Sequence, residues 1–148
     1  MGVVLTDLGR MKQAEESFNA AKALAGGNGV VNTNLGAMAR QNGDVQVASA
    51  YYGKASGVAE LSYNKGVLAI AQGDYGRAVS SMGGSTTLNL ALAKILNGDA
   101  NGARTTLQNG DSDSAIADYL LAVCAARLDD AAGVRKHIRA ALDKDTSL

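Results

Sequence analysis

One spacing of residue types runs through this chain five times, and that recurrence limits the fold more than any other feature of the sequence. A small residue is followed seven positions later by a turn residue, five later by another small residue, and four later by a large apolar one. The first column holds Gly2, Gly36, Gly66, Ala91 and Ala122, and the second Gly9, Gly43, Gly73, Gly98 and Asp129. The third holds Ala14, Ala48, Ala78, Ala103 and Val134, and the fourth Phe18, Tyr52, Met82, Leu107 and Ile138. Along the first column the copies are 34, 30, 25 and 31 residues apart. Self-similarity at such periods, with a turn inside each copy, marks stacked helix–turn–helix units, none of which buries its apolar face alone.

Composition agrees with that reading. The 148 residues are 47% apolar but only 4% aromatic, and none is proline. A core of Ala, Leu and Val with few rings suits closely packed helices better than a sandwich or barrel, so an all-α class is expected. Lys and Arg number 14, as do Asp and Glu, which leaves no net positive field of the kind nucleic-acid binding needs. Cys124 is the single cysteine, which excludes an intramolecular disulfide and any multi-cysteine metal site. No apolar run approaches membrane-spanning length, so direct membrane insertion is not expected.

Taken in order, Gly2-Val3-Val4-Leu5 stands in mid-hairpin phase, and the tail Asp143-Lys144-Asp145-Thr146-Ser147-Leu148 stops where an array calls for a further helix. The expectation is a piece of a longer protein. A first turn near Leu8-Gly9-Arg10 leads into a helix from about Met11 to Leu24, with Ala14, Phe18 and Ala21 on one stripe. Gly26-Gly27-Asn28-Gly29 is read as its end. Further hairpins pair Val31–Asn42 with Val45–Ser56 and Glu60–Gln72 with Tyr75–Met82. Asp44, Asp74 and Asp99 directly follow turn glycines, where a carboxylate accepts from the free N–H groups of the next helix. Gly36 with Ala48, Gly66 with Ala78, and Ala91 with Ala103 are expected to let paired helix axes approach closely. One domain over 1–148 is expected, with repeats at about 1–26, 30–57, 60–83, 86–109 and 114–143.

Leu35-Gly36, Gly43, Ala48, Tyr52 and Ala55 resemble the tetratricopeptide repeat, a 34-residue helical hairpin with leucine-glycine in its first helix and alanine, aromatic, alanine in its second. The aromatic early in the first helix and the proline at the repeat end are missing here. The resemblance implies a right-handed solenoid of antiparallel helix hairpins, about four and a half repeats long, that binds protein or peptide on the concave wall of its first helices. Tyr63-Asn64-Lys65-Gly66-Val67, Gln72-Gly73-Asp74-Tyr75 and the run Ala91 to Asp99 are also similar to repeat segments of cell-envelope proteins from Bacteroidetes. That similarity implies a periplasmic or outer-membrane-associated bacterial protein, with the cytoplasm as the alternative.

On such a wall Asn34, Asn64 and Asn89 form a ladder two residues before the small column, broken by Leu120. The resemblance implies that they grip the backbone of an extended peptide, each amide offering donor and acceptor, unless they bond neighbouring helices instead. Thr33 and Tyr63 precede two of them, and Arg40, Gln41 and Arg127 lie one to two turns on, where a guanidinium can fork onto a carboxylate. Toward the C-terminal half the wall becomes apolar. Leu88, Leu92, Ile95 and Tyr119 are expected to exceed what packing needs and to form an exposed patch, with Leu96, Val123 and Ala126 beside them.

Chemistry is not expected. Carboxylates placed once per repeat lie too far apart for acid–base work. Cys124 shares a column with Met38, Leu68 and Ala93 and reads as core. His137 stands among Arg135, Lys136 and Arg139 on a basic face, and with no second histidine neither a metal nor a cofactor is implied. Ser80-Ser81 and Ser85-Thr86-Thr87 bracket Gly83-Gly84 without the spacing of a phosphate loop. The reading is a non-catalytic scaffold for protein–protein interaction. Its alternative is an architectural segment that contacts its own chain or a second copy, self-associating through an exposed repeat end.

Overall fold

The computed structural model describes residues 11–25, 27–110 and 113–146. Gly2, Gly9 and the first turn lie outside the described residues, as do the side chains of Ala14 and Phe18. Among the described residues the chain is all-α, with no strand. The helices are α1 (Met11–Ala25), α2 (Gly29–Gln41), α3 (Val45–Lys54), α4 (Leu61–Ala71), α5 (Tyr75–Met82), α6 (Leu88–Leu96), α7 (Ala100–Gln108), α8 (Ala115–Arg127) and α9 (Ala131–Lys144). The chain divides into two compact units, Met1–Gly73 and Asp74–Leu148. Within each unit every helix packs on the next, and α2 also touches α4, as α6 touches α8.

The turn column is where sequence dictates geometry most directly. Gly43, Gly73, Gly98 and Asp129 have φ of 84°, 75°, 87° and 57°, the left-handed region that glycine enters freely and aspartate tolerates. At Gly43 this conformation lets its N–H reach the Arg40 carbonyl at 3.0 Å and the Asp44 N–H reach Ala39 at 2.8 Å. Gly98 and Asp99 do the same to Ile95 and Lys94, and Asp129 and Asp130 to Ala126 and Ala125. These paired bonds satisfy the last carbonyls of one helix and reverse the chain into the next.

The aspartate after each turn then caps the next helix. Asp74 accepts from the Arg77 N–H at 3.1 Å, Asp99 from Gly102 at 2.8 Å, and Asp130 from Gly133 at 2.8 Å. Asp44 makes no such bond. Its backbone, with φ of −82° and ψ of 68°, is close to that of Asp74 (−91°, 73°) and Asp99 (−93°, 72°). Asp99→Ala is therefore expected to lower unfolding free energy by about 1 kcal/mol, and Asp44→Ala by only a few tenths. Urea titrations of the two variants measure this, and equal losses would show that the carboxylates act through the helix dipole alone.

The helix α1 ends at Ala25, before the glycine-rich segment, as expected, and the last residues of that segment also start the next helix. Asn28 caps α2, accepting from Val30 at 2.9 Å and Val31 at 3.3 Å, so the helix starts at Gly29 and not at Val31. Gly29 stands inside the helix because a side chain there would run into the Ser56 carbonyl.

In the first unit the core gathers Ala39, Ala48, Tyr52, Ala55, Leu61 and Leu68. Gly36 gives way to the Tyr52 ring: a Cβ on it would lie 2.5 Å from Cδ1 and Cε1. Ala48, its expected partner in the close approach, is fully buried in the same core, and the ring nearest Gly36 stands one turn further along the same helix α3. In the second unit Ala91 and Ala103 share a core with Ile95, Leu107, Leu120 and Cys124, as small residues on facing helices should. Gly66 and Ala78 belong to different units. The Cys124 thiol is fully enclosed, and burial raises its pKa. Lys94 stitches α6 to α7, its Nζ donating to Thr106 Oγ1 at 2.8 Å and to the Gly102 carbonyl at 3.4 Å.

Candidate functional site

The helix α8 is unusual in composition, since Ala115–Arg127 carries only two charges, Asp118 and Arg127. Ser114 starts it, its Oγ accepting from the Ala117 N–H at 3.2 Å. One side holds the buried Ala117, Leu120, Ala122, Cys124 and Ala125. Residues 116, 119, 123 and 126 recur at helical spacing on the other side, and they are apolar too. Ile116 is 54% exposed and Tyr119 47%, with Val123 half-buried and Ala126 exposed beside them. A helix that is apolar all round is ordinarily covered all round, so an uncovered stripe of this kind is the strongest surface signal in the second unit.

Leu88 and Leu92 of α6 are half-buried against the second-unit core, as are Leu121 and Val123 of α8, and Leu96 is exposed at the end of α6. Arg127, also exposed, stands at the C-terminal end of α8. Ile95, expected in the exposed patch, is instead in the core, because it stands one turn from Ala91 on the side that faces α7. Ile116 was not singled out from sequence. The signal that could have found it is its position three residues before Tyr119, in a helix whose start Ser114 marks.

Charge is kept off this stripe. Asp118 turns to the opposite side, where it accepts from Lys144 Nζ at 2.7 Å and faces His137 Nδ1 at 3.4 Å. Lys144 also bonds Asp113. Burial by itself would push the Asp118 carboxyl up, but the hydrogen bonds from Lys144 and then from His137 outweigh it and hold it below the ordinary carboxylate range. Lys144 is raised, first by Asp113 and then by Asp118. This cluster borders an open cleft of about 340 Å³ that Leu107, Ala117 and Leu121 also line.

The first unit holds the other expected site residues. Thr33 is buried, and its hydroxyl donates to the Gly29 carbonyl at 2.8 Å, so it is taken up by its own helix and does not face a wall. Asn34 and Arg40 of α2 and Tyr63 and Asn64 of α4 are half-buried, and Gln41 is exposed. The Arg40 Nε and the Tyr52 hydroxyl are both buried without a hydrogen-bond partner. Burial pushes the Tyr52 phenol up, and the nearby Arg40 guanidinium partly opposes this. Tyr63 is already engaged with a neighbour. Asn89, in the second unit, is half-buried and likewise engaged.

Among the described residues no group of three His, Cys, Asp or Glu is placed to hold a metal ion, and no helix is long and apolar enough to cross a membrane. No family model matches the sequence, and no curated protein matches it.

Proposed function

We propose that the chain is a non-catalytic protein-interaction module, a right-handed solenoid of antiparallel hairpins of the tetratricopeptide type forming one domain over 1–148. Its first helices hold a peptide or protein segment in extended form. The observation that carries this reading is the uncovered stripe Ile116, Tyr119, Val123 and Ala126. Fully burying a side chain of the size of Ile is worth about 1.5–3 kcal/mol, so a partner laid across Ile116 and Tyr119 recovers stabilisation that folding alone leaves unused. In the second unit Arg127 is proposed to add a carboxylate contact beside the stripe, and in the first unit Asn34 and Asn64 to offer peptide backbone contacts of their own.

A random peptide library panned against the wild-type protein and against an Ile116→Asp/Tyr119→Asp variant tests the reading. Peptides with aliphatic or aromatic residues at alternate positions should be enriched on the wild type and lost, by at least about a hundredfold, on the variant. Both positions are exposed, so the variant should keep the wild-type circular dichroism. Absence of enrichment on the wild type, or equal enrichment on both, overturns the proposal.

A further inference from the structure

The repeated columns permit a comparison inside the chain. At the large apolar position, Tyr52 is 1% exposed and packs under Leu61 and Leu68 of the following helix, α4. Leu107 is 7% exposed and packs with Leu120 and Cys124 of the following helix, α8. Ile138 of α9 occupies the same column and is 36% exposed, and Leu142, one turn on, is 41% exposed. With the half-buried Val134 they form an i, i+4, i+8 stripe along α9. The stripe has a charged rim. Arg135 and Arg139 are exposed along its edge, Lys136 is exposed on the far side of the helix, and the helix body carries a single exposed carboxylate, Asp143. Lys144 is committed to Asp113 and Asp118, and His137 to Asp118.

We infer that α9 carries a second docking surface, separate from the stripe on α8, for an amphipathic helix of another protein. Two features define the partner. Its apolar face presents large aliphatic residues seven apart, the arrangement in which Leu61 and Leu68 cover Tyr52. Its rim is acidic, because Arg135 and Arg139 border the stripe and like charges there would be repelled. An acidic rim also sets this surface apart from a second copy of α9, whose own rim is basic. The α8 stripe has one basic residue beside it, Arg127 at its C-terminal end, where α9 has the pair Arg135 and Arg139 along the edge of its stripe.

Two designed peptides of about four helical turns serve as probes, stapled to hold the helix, with leucines seven apart and a rim of either glutamates or lysines. Each is titrated into the isotope-labelled protein and followed by amide chemical shifts. The glutamate peptide should perturb the amides of Val134, Ile138 and Leu142, and should bind at least about tenfold more tightly than the lysine peptide at low salt. Ile138→Asp should abolish the perturbation, and Arg135→Glu/Arg139→Glu should reverse the preference between the two peptides. Equal binding of both peptides, binding indifferent to Ile138→Asp, or no binding of either overturns the inference. So does self-association of the wild type that Ile138→Asp removes, which would make a second copy the occupant. The α8 double variant should bind the glutamate peptide normally, which separates a failure here from a failure of the proposed function.

Discussion

Gly36→Ala is expected to destabilise the protein by about 2 kcal/mol, although alanine is the better helix former by about 1 kcal/mol. The added methyl would stand 2.5 Å from the Tyr52 ring, which is itself 1% exposed and held by Ala39, Ala48, Leu61 and Leu68. Neither side can retreat without opening the first-unit core. Removing the obstacle should therefore reverse the sign. In a Tyr52→Leu background, already weakened by the lost ring, Gly36→Ala is expected to be neutral or stabilising by up to about 1 kcal/mol, leaving a coupling of about 2–3 kcal/mol between the two positions. Tyr52→Phe is the control for the hydroxyl. That group is buried with no well-formed hydrogen bond and only the Arg40 guanidinium beside it, so its loss should not destabilise the protein and should leave the clash intact. Urea unfolding of the four members of the cycle decides the matter. Additivity within about 0.5 kcal/mol would mean that the helices part to accept the methyl and that close approach is not what selects glycine here.

The same pair shows what could be read from the sequence. The turn column was legible because a left-handed residue must be glycine or a tolerant substitute, and Gly43, Gly73, Gly98 and Asp129 all have positive φ. The buried members of the large column, Tyr52, Met82 and Leu107, were legible because burial requires apolar bulk at fixed phase. The neighbour of Gly36 was not, since spacing fixes angular phase along a helix but not the distance between two axes. Ile95 was misplaced for a related reason: α6 is apolar on most of its surface, and only its neighbours decide which side is the wall. Thr33 looked like a surface hydroxyl until its bond to Gly29 took it inward. The ionic cluster was invisible in one dimension, because Asp118 lies 19 residues from His137 and 26 from Lys144. Its existence depends on how α8 and α9 align.

That cluster makes the acid limb of stability specific. The Asp118 side chain is only 14% exposed, and its carboxyl sits below its ordinary value of 3.8 because Lys144 and His137 favour the charged form over the cost of burial. A carboxyl held low in the folded state contributes stability that is fully present above the ordinary value. That stability is lost as pH falls through the lower, folded value, where the unfolded chain has already taken up its proton. Asp118→Asn keeps the size of the group and removes the charge. It is expected to cost about 2 kcal/mol at pH 7, the scale of partly buried hydrogen bonds to a charged group, and progressively less below about pH 4, where the wild-type and variant curves should converge. His137→Gln and Lys144→Gln should each reproduce part of the loss at pH 7, Lys144→Gln the larger part, because its hydrogen bond is the stronger influence on Asp118. Added salt should weaken the exposed Lys144–Asp113 contact more than the sheltered contacts of Asp118. Unfolding curves recorded from neutral pH down to about pH 2.5 give the difference directly. A loss that stays constant over that range would mean that Asp118 acts through packing and not through charge, and no loss at pH 7 would mean that α8 and α9 are held together by their apolar contacts alone.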